Sequence, residues 1–249
     1  MADDLLLGRK SVLEALKAGR EIDRVIVQEG PRQGSIKELL YLAGEKGVPV
    51  NTAPKARLDA IAKGTPHQGV AAFAAQIHYR EIEDALAAAA AKNEPPFLVL
   101  LAGIQDPHNT GAIIRTAAAA GAHGALIPEK RGCQITPAVM RAAAGGAEHI
   151  PIVRIGNITG TLKELKKRGL WIVGADAGAG ADYREAELDW PLALVIGGED
   201  KGMARLVRET CDIVVRIPMP GKALTLNASV AAALLIYEVL RKRGAGKHL

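Results

Sequence analysis

Three short apolar runs in this chain each end in a loop rich in glycine, asparagine or proline and then pass into a helical pattern. That repeated order constrains the fold more than any other feature. The loops are Asp106-Pro-His-Asn-Thr-Gly-Ala-Ile-Ile-Arg-Thr, Ile196-Gly-Gly-Glu-Asp-Lys-Gly-Met, and Ile217-Pro-Met-Pro-Gly-Lys-Ala-Leu-Thr-Leu-Asn-Ala-Ser. Each run is short and apolar, save for Arg216 in the third, and reads as a buried strand. Strand, loop and helix in that order place all three loops at the carboxyl edge of one parallel sheet, the edge at which α/β proteins bind ligands.

From Phe97 onward the pattern is regular. Strands are predicted over 97–102, 125–128, 151–155, 170–174, 192–197 and 212–217, with helical segments between them and a long helix over 226–243. Such alternation predicts an α/β fold with a mostly parallel sheet covered on both faces. Residues 4–76 read as a separate small α/β domain, with helices over 8–18 and 35–46, strands over 22–27 and 48–51, and a closing strand in 67–74. Residues 77–96 hold an alanine run set between charges and ended by Pro95 and Pro96, so they are expected to be an interdomain linker. A length of 249 residues accommodates two cores, and with 3% aromatic residues these must be built from Ala, Val, Ile and Leu.

The net charge of +5 divides into +2 over residues 1–76, −2 over 77–96 and +5 beyond. This balance tolerates an RNA partner without demanding one. Cys133 and Cys211 are the only cysteines, and neither belongs to a Cys-x-x-Cys pair. A reducing cytoplasm is therefore expected, with no disulfide framework. The histidines at 67, 78, 108, 123, 149 and 248 have no metal-ligand spacing, so no metal site is expected. The N-terminus lacks a basic start followed by an apolar stretch, and no run approaches the ~18 apolar residues of a membrane span. A soluble, unexported protein is expected.

The phosphate-cradling loops of dehydrogenases and NTPases are missing, since no Gly-x-Gly-x-x-Gly opens a helix and no Gly-x-x-x-x-Gly-Lys-Ser/Thr occurs. The stretch from Gly174 to Gly180 is the nearest imitation and reads as an ordinary loop. Gly197 and Gly198 let a backbone approach a ligand closely, though a plain strand-to-helix turn uses the same letters. Asn109 reads as the N-cap of a helix beginning near Thr110. Arg115 lies in an apolar helix, where a guanidinium needs a paired anion or an open cleft, so a structural ion pair and an active-site arginine both fit. Thr225, Asn227 and Ser229 crowd one helix start that needs a single cap, and the surplus points to a ligand surface.

In this order and chemistry the three loops resemble the signature motifs of the SPOUT RNA methyltransferases, specifically the TrmH-type ribose 2′-O-methyltransferases. The N-terminal segment, with Gly8-Arg-Lys-Ser-Val-Leu-Glu-Ala-Leu and His67-Gln-Gly-Val, resembles the L30e-like substrate-binding domain of one subfamily. That subfamily methylates a guanosine ribose of large-subunit ribosomal RNA. The resemblance implies S-adenosylmethionine (AdoMet) as cofactor, a catalytic SPOUT domain over 97–249 with a C-terminal trefoil knot, an RNA-binding domain over 4–76, and a homodimer formed through the knot. It implies AdoMet contacts at Gly197, Ile217 and Leu226, with Gly198, Thr225 and Ser229 beside them. Arg115 would be the central catalytic residue, with Asn109, Glu199 and Asn227 shaping the site, and Arg115 and AdoMet can come from different subunits. Thr225 stands where relatives commonly have Ser; the hydroxyl is retained and a methyl group is added. Two rivals share the fold. One is a transfer-RNA methyltransferase of the same family. The other is a non-catalytic ribosome-assembly factor, which would be expected to lack one or more of Asn109, Arg115, Glu199 and Asn227.

Overall fold

The computed structural model describes residues 4–20, 22–30, 34–74, 79–198, 202–221 and 225–244. The N-terminal part runs β1 (Asp4–Leu7), α1 (Arg9–Lys17), β2 (Ile22–Gln28), α2 (Ser35–Glu45), β3 (Val50–Ala53), α3 (Lys55–Ala62) and β4 (Val70–Ala74). Its sheet has the order β1-β4-β2-β3, with β4 antiparallel to β1 and β2, and β3 parallel to β2. Val12 and Leu16 of α1 and Leu39 and Ala43 of α2 are buried on one face of it. Leu58 and Ala62 of α3 pack on the other face with Ile26 and Ala71. The sequence reading omits β1 and α3, both short, and α3 has only a narrow apolar face.

The stretch expected to be a linker is in large part structural. Residues Ile82–Ala91 form helix α4, whose start is tied by a hydrogen bond from the Glu81 backbone N–H to Asp84 Oδ2 at 3.0 Å. Ala85 and Ala89 are fully buried, Ala85 among Leu98, Leu100 and Leu126 of the large sheet. The helix lies so close that a Cβ at Gly124 would stand 2.7 Å from the Ala85 methyl. Alanine suits a helix in any environment, so the run carries little periodic signal of the face it buries.

The large sheet is formed by β5 (Phe97–Ala102), β6 (Gly124–Pro128), β7 (Ile152–Ile155), β8 (Trp171–Ala175), β9 (Ala181–Asp182), β10 (Leu192–Gly197) and β11 (Ile213–Arg216). Its order is β7-β6-β5-β10-β8-β11-β9, and every pairing is parallel. Helices α5 (Pro107–Ala119), α6 (Pro137–Ala143) and α9 (Ala228–Lys242) pack on one face. Helices α4, α7 (Ile158–Lys167) and α8 (Arg205–Thr210) cover the other. The central strands β5 and β10 take their first five side chains fully out of water, which explains why their ends are readable from apolar runs alone.

The two parts meet where β1 lies against α6 and where the end of α1 meets the short 3-10 turn Gly146–Glu148. Arg20 Nη1 pairs with Glu148 Oε1 at 2.9 Å, with side chains only 6% and 8% exposed. Beside it His149 Nε2 meets Glu14 Oε2 at 2.8 Å. Gly145 adopts φ 90°, and a Cβ there would stand 2.4 Å from Glu14 Cβ, so glycine is required for both reasons. Among the described residues no helix is long and apolar enough to cross a membrane.

Candidate active site

Two helix starts converge at the carboxyl edge of the large sheet. Pro107 opens α5, a position where its missing N–H costs nothing, and Asp106 Oδ2 accepts from the Asn109 N–H at 2.7 Å. Asp106 rather than Asn109 is therefore the cap, and the helix begins at Pro107 instead of near Thr110. Asn109 Oδ1 is left to accept from Asn227 Nδ2 at 3.1 Å. Asn227 is itself the N-cap of α9: its Oδ1 accepts from the Ser229 N–H at 2.9 Å, the Val230 N–H at 3.4 Å and the Ser229 hydroxyl at 2.6 Å. One side-chain bridge thus joins the first and third motifs.

A cavity of about 320 Å³ opens beside this bridge, above β8, β10 and β11. Of the expected cofactor contacts, Gly197, Gly198, Ile217, Thr225 and Leu226 line it. Ser229 does not; it faces a groove between α5 and α9. The glycines are obligatory by close approach: a Cβ at Gly197 would stand 2.7 Å from the Gly202 carbonyl carbon, and one at Gly198 would stand 2.5 Å from Gly103 O. The loop after β8, read as an ordinary loop, also lines the cavity through Ala175, Asp176 and Ala177, as does Met219. Asp176 turns that loop by accepting from the Gly178 N–H at 2.8 Å. Only the sheet order, with β8 between β10 and β11, brings it here.

Arg115 stands apart. It is exposed on α5, is not among the residues lining the cavity, and forms no hydrogen bond or ion pair among the described residues. Six residues of helix carry it about 9 Å along the axis and roughly 120° around from Asn109. Gly146 packs on its backbone, with a Cβ position 2.8 Å from the Arg115 Cα. Among the described residues the Arg115 guanidinium has no carboxylate partner of the kind a structural ion pair requires. Glu199, His78 and His248 lie outside the described residues.

Nucleophilic thiol chemistry has no support, because burial raises the Cys133 thiol and pushes the Cys211 thiol up to about 11. Among the described residues no three His, Cys, Asp or Glu side chains are grouped to hold a metal ion.

A parallel α/β sheet with a ligand-sized cavity walled by glycine backbone at its carboxyl edge is the architecture of a ligand-binding α/β protein. The chain belongs to the SpoU rRNA methylase family, whose model matches residues 96–237. A second model, RNA 2′-O ribose methyltransferase substrate binding, matches residues 5–80. The Bacillus subtilis protein YacO, assigned to the TrmH family of tRNA/rRNA methyltransferases, is 46% identical over 240 residues, covering 96% of each chain. The SpoU methyltransferase AviRb of Streptomyces viridochromogenes, solved in complex with AdoMet, shares the fold with a TM-score of 0.81 at 24% identity, over 98% of this chain and 92% of its own. An RNA 2′-O ribose methyltransferase structure superposes with a TM-score of 0.78 at 28% identity, over 97% of this chain and 89% of its own.

Proposed function

We propose that this protein transfers a methyl group from AdoMet to the 2′-oxygen of a guanosine ribose in large-subunit ribosomal RNA, as an RlmB-type cytoplasmic homodimer with a knotted C-terminus. The observation that carries the reading is the glycine-walled cavity beside the Asn109–Asn227 bridge. The residues fit the cofactor. Ile217, Met219 and Leu226 offer apolar surface for a purine, the backbone around Gly197 and Gly198 can come within hydrogen-bonding distance, and Asp176 supplies a carboxylate. When bound, AdoMet supplies an electrophilic methyl group on a sulfonium.

The protein's own part is alignment and charge. Asn109 and Asn227 hold α5 and α9 in register, so the walls of the cavity keep one geometry while the ribose oxygen is brought in line. Arg115 grips a phosphate of the RNA and stabilises the negative charge that develops on the 2′-oxygen as its proton leaves to phosphate or solvent. A guanidinium suits this better than proton abstraction, because it holds its own proton above roughly pH 12. The position of Arg115 outside its own chain's cavity supports the dimer, in which it serves the cofactor of the second subunit. So does α9, which exposes Val230, Leu234 and Tyr237 in continuation of Leu226 at helical spacing. Residues 4–76 are assigned to RNA selection, which supports ribosomal over transfer RNA as substrate.

Calorimetry without metal should detect AdoMet, with S-adenosylhomocysteine competing. Binding of NAD or ATP in place of both at millimolar concentration would overturn the reading. Mapping 2′-O-methylated nucleotides in cellular RNA with and without the protein should then show loss at a guanosine of large-subunit RNA; loss in transfer RNA would replace the substrate and keep the chemistry.

A further inference from the structure

Next to the cofactor cavity a second cleft of about 610 Å³ opens above β5, β6 and β10, and the two share Gly198 and Gly202 as a common wall. Lys130 and Arg131, from the loop after β6, stand at this second cleft. Both are exposed, and neither forms an ion pair or hydrogen bond among the described residues. Among the described residues the one carboxylate lining the cleft is Asp106, whose Oδ2 already accepts from the Asn109 N–H at 2.7 Å.

The loop that carries these cations is held from several sides. Glu129 N–H donates to Ile155 O at 2.8 Å and Cys133 N–H to Ile104 O at 3.0 Å. Gln134 Nε2 donates to Pro128 O at 3.1 Å and Glu129 O at 3.3 Å, while Tyr79 Oη donates to Gln134 Oε1 at 3.3 Å. Gly132 sits so tightly that a Cβ there would stand 2.5 Å from Pro128 O. Within this frame Arg131 adopts φ 62°, a left-handed conformation unfavourable for a side chain of its size. A solvated surface charge needs neither a rigid loop nor a strained backbone. Glycine would satisfy the turn at lower cost, so an arginine held there points to a role for its guanidinium.

We propose that Lys130 and Arg131 form a phosphate grip for the single-stranded RNA segment that carries the target nucleotide into the second cleft. This rests on the RNA methyltransferase reading above. Two cations without partners among the described residues, on a preorganised loop, match a phosphodiester, Arg131 through its planar fork and Lys130 as a point charge. The shared glycine wall would set a nucleotide held there directly beside the cofactor cavity.

The test uses the full chain with Lys130→Ala/Arg131→Ala and Arg131→Gly, measured against RNA that the wild-type protein methylates. The double variant should keep wild-type AdoMet affinity and weaken RNA binding at least tenfold. Its log–log salt slope should fall by about 0.7 for each RNA phosphate that is no longer neutralised. Single-turnover methylation should recover at saturating RNA, since the grip acts on binding. Arg131→Gly should melt at a higher temperature than wild type and yet bind RNA more weakly, a combination that a merely structural residue would not produce. Wild-type RNA affinity and salt slope in both variants would overturn the grip while leaving the methyltransferase reading intact. Failure of the wild-type protein to methylate any RNA would instead strike the underlying reading.

Discussion

At the scale of single residues, the role proposed for Arg115 predicts a separation of catalysis from stability. Arg115 has no partner among the described residues and lies outside the cavity of its own chain. Arg115→Ala should therefore change folding stability by no more than about 0.5 kcal/mol and leave AdoMet affinity unaltered, while single-turnover methyl transfer disappears. Arg115→Lys should be nearly as damaged, because an ammonium cannot reproduce a fork that holds phosphate and faces the ribose oxygen together. A destabilised Arg115→Ala protein that still methylates would contradict the assignment. Mixing Arg115→Ala with a variant blocked in the cofactor cavity adds a second readout. If the arginine serves the other subunit, random re-association should restore about a quarter of wild-type sites, and if it serves its own subunit, none.

At the scale of elements, two close approaches decide how the helices and strands seat on one another. Gly111, inside α5, would as alanine place its Cβ 2.4 Å from the Ala142 methyl and 2.5 Å from Val139 O. Alanine is the better helix former, by about 1 kcal/mol, yet here overpacking dominates. Gly111→Ala is expected to cost about 1–3 kcal/mol, visible as a lower denaturation midpoint, with part of the AdoMet affinity lost because α5 carries Asn109. The second is at His123, which joins the start of β5 to the turn before β6. Its Nδ1 accepts from the Phe97 N–H at 3.0 Å, which leaves Nε2 to donate its proton to Glu94 Oε2 at 3.0 Å. Burial holds the imidazole below its ordinary value, against the pull of Glu94. The unfolded chain consequently binds the proton more readily than the folded one. The stability present above about pH 6.5 is lost as pH falls through the folded value. Melting temperature should drop more steeply between about pH 7 and pH 5 in the wild type than in His123→Gln, and equal slopes would exclude His123 as the cause.

For the whole molecule, a buried ion pair between Arg20 and Glu148 joins the two parts. Arg20→Ala would leave Glu148 in a pocket where its side chain is 8% exposed, and loss of a buried partner of this kind costs about 3–5 kcal/mol. Removing both residues together should cost less than removing Arg20 alone, a difference that a double-mutant cycle in urea would measure. The same packing bears on where the catalytic part can be cut. A fragment over 97–249 discards α4, whose Ala85 and Ala89 close the far face of the sheet, and the Tyr79 hydroxyl that braces Gln134 and the Ile135 N–H. A fragment over 79–249 should fold and bind AdoMet with clearly higher stability than 97–249, and equal melting temperatures would return residues 77–96 to the status of a linker.

The sequence alone carries the central strands, the positions of the three loops and the residue types of the site. Continuous apolar runs such as 97–102 and 192–197 leave few conformations that bury them, and polar residues in excess of capping needs mark a surface with another role. It does not carry the order of the strands, which depends on residues far apart in the chain. Asp176 reads as part of an ordinary loop until β8 is placed between β10 and β11. Nor does it carry direction around a helix whose start is shifted by three residues. Capping by Asp106 instead of Asn109 releases the Asn109 side chain to bridge to Asn227. The exposed setting of Arg115 likewise follows from which faces of α5 are taken by α6, α9 and Gly146. Local pattern reports whether a segment is buried; only packing decides against what, because the partners come from distant parts of the chain and compete for the same faces.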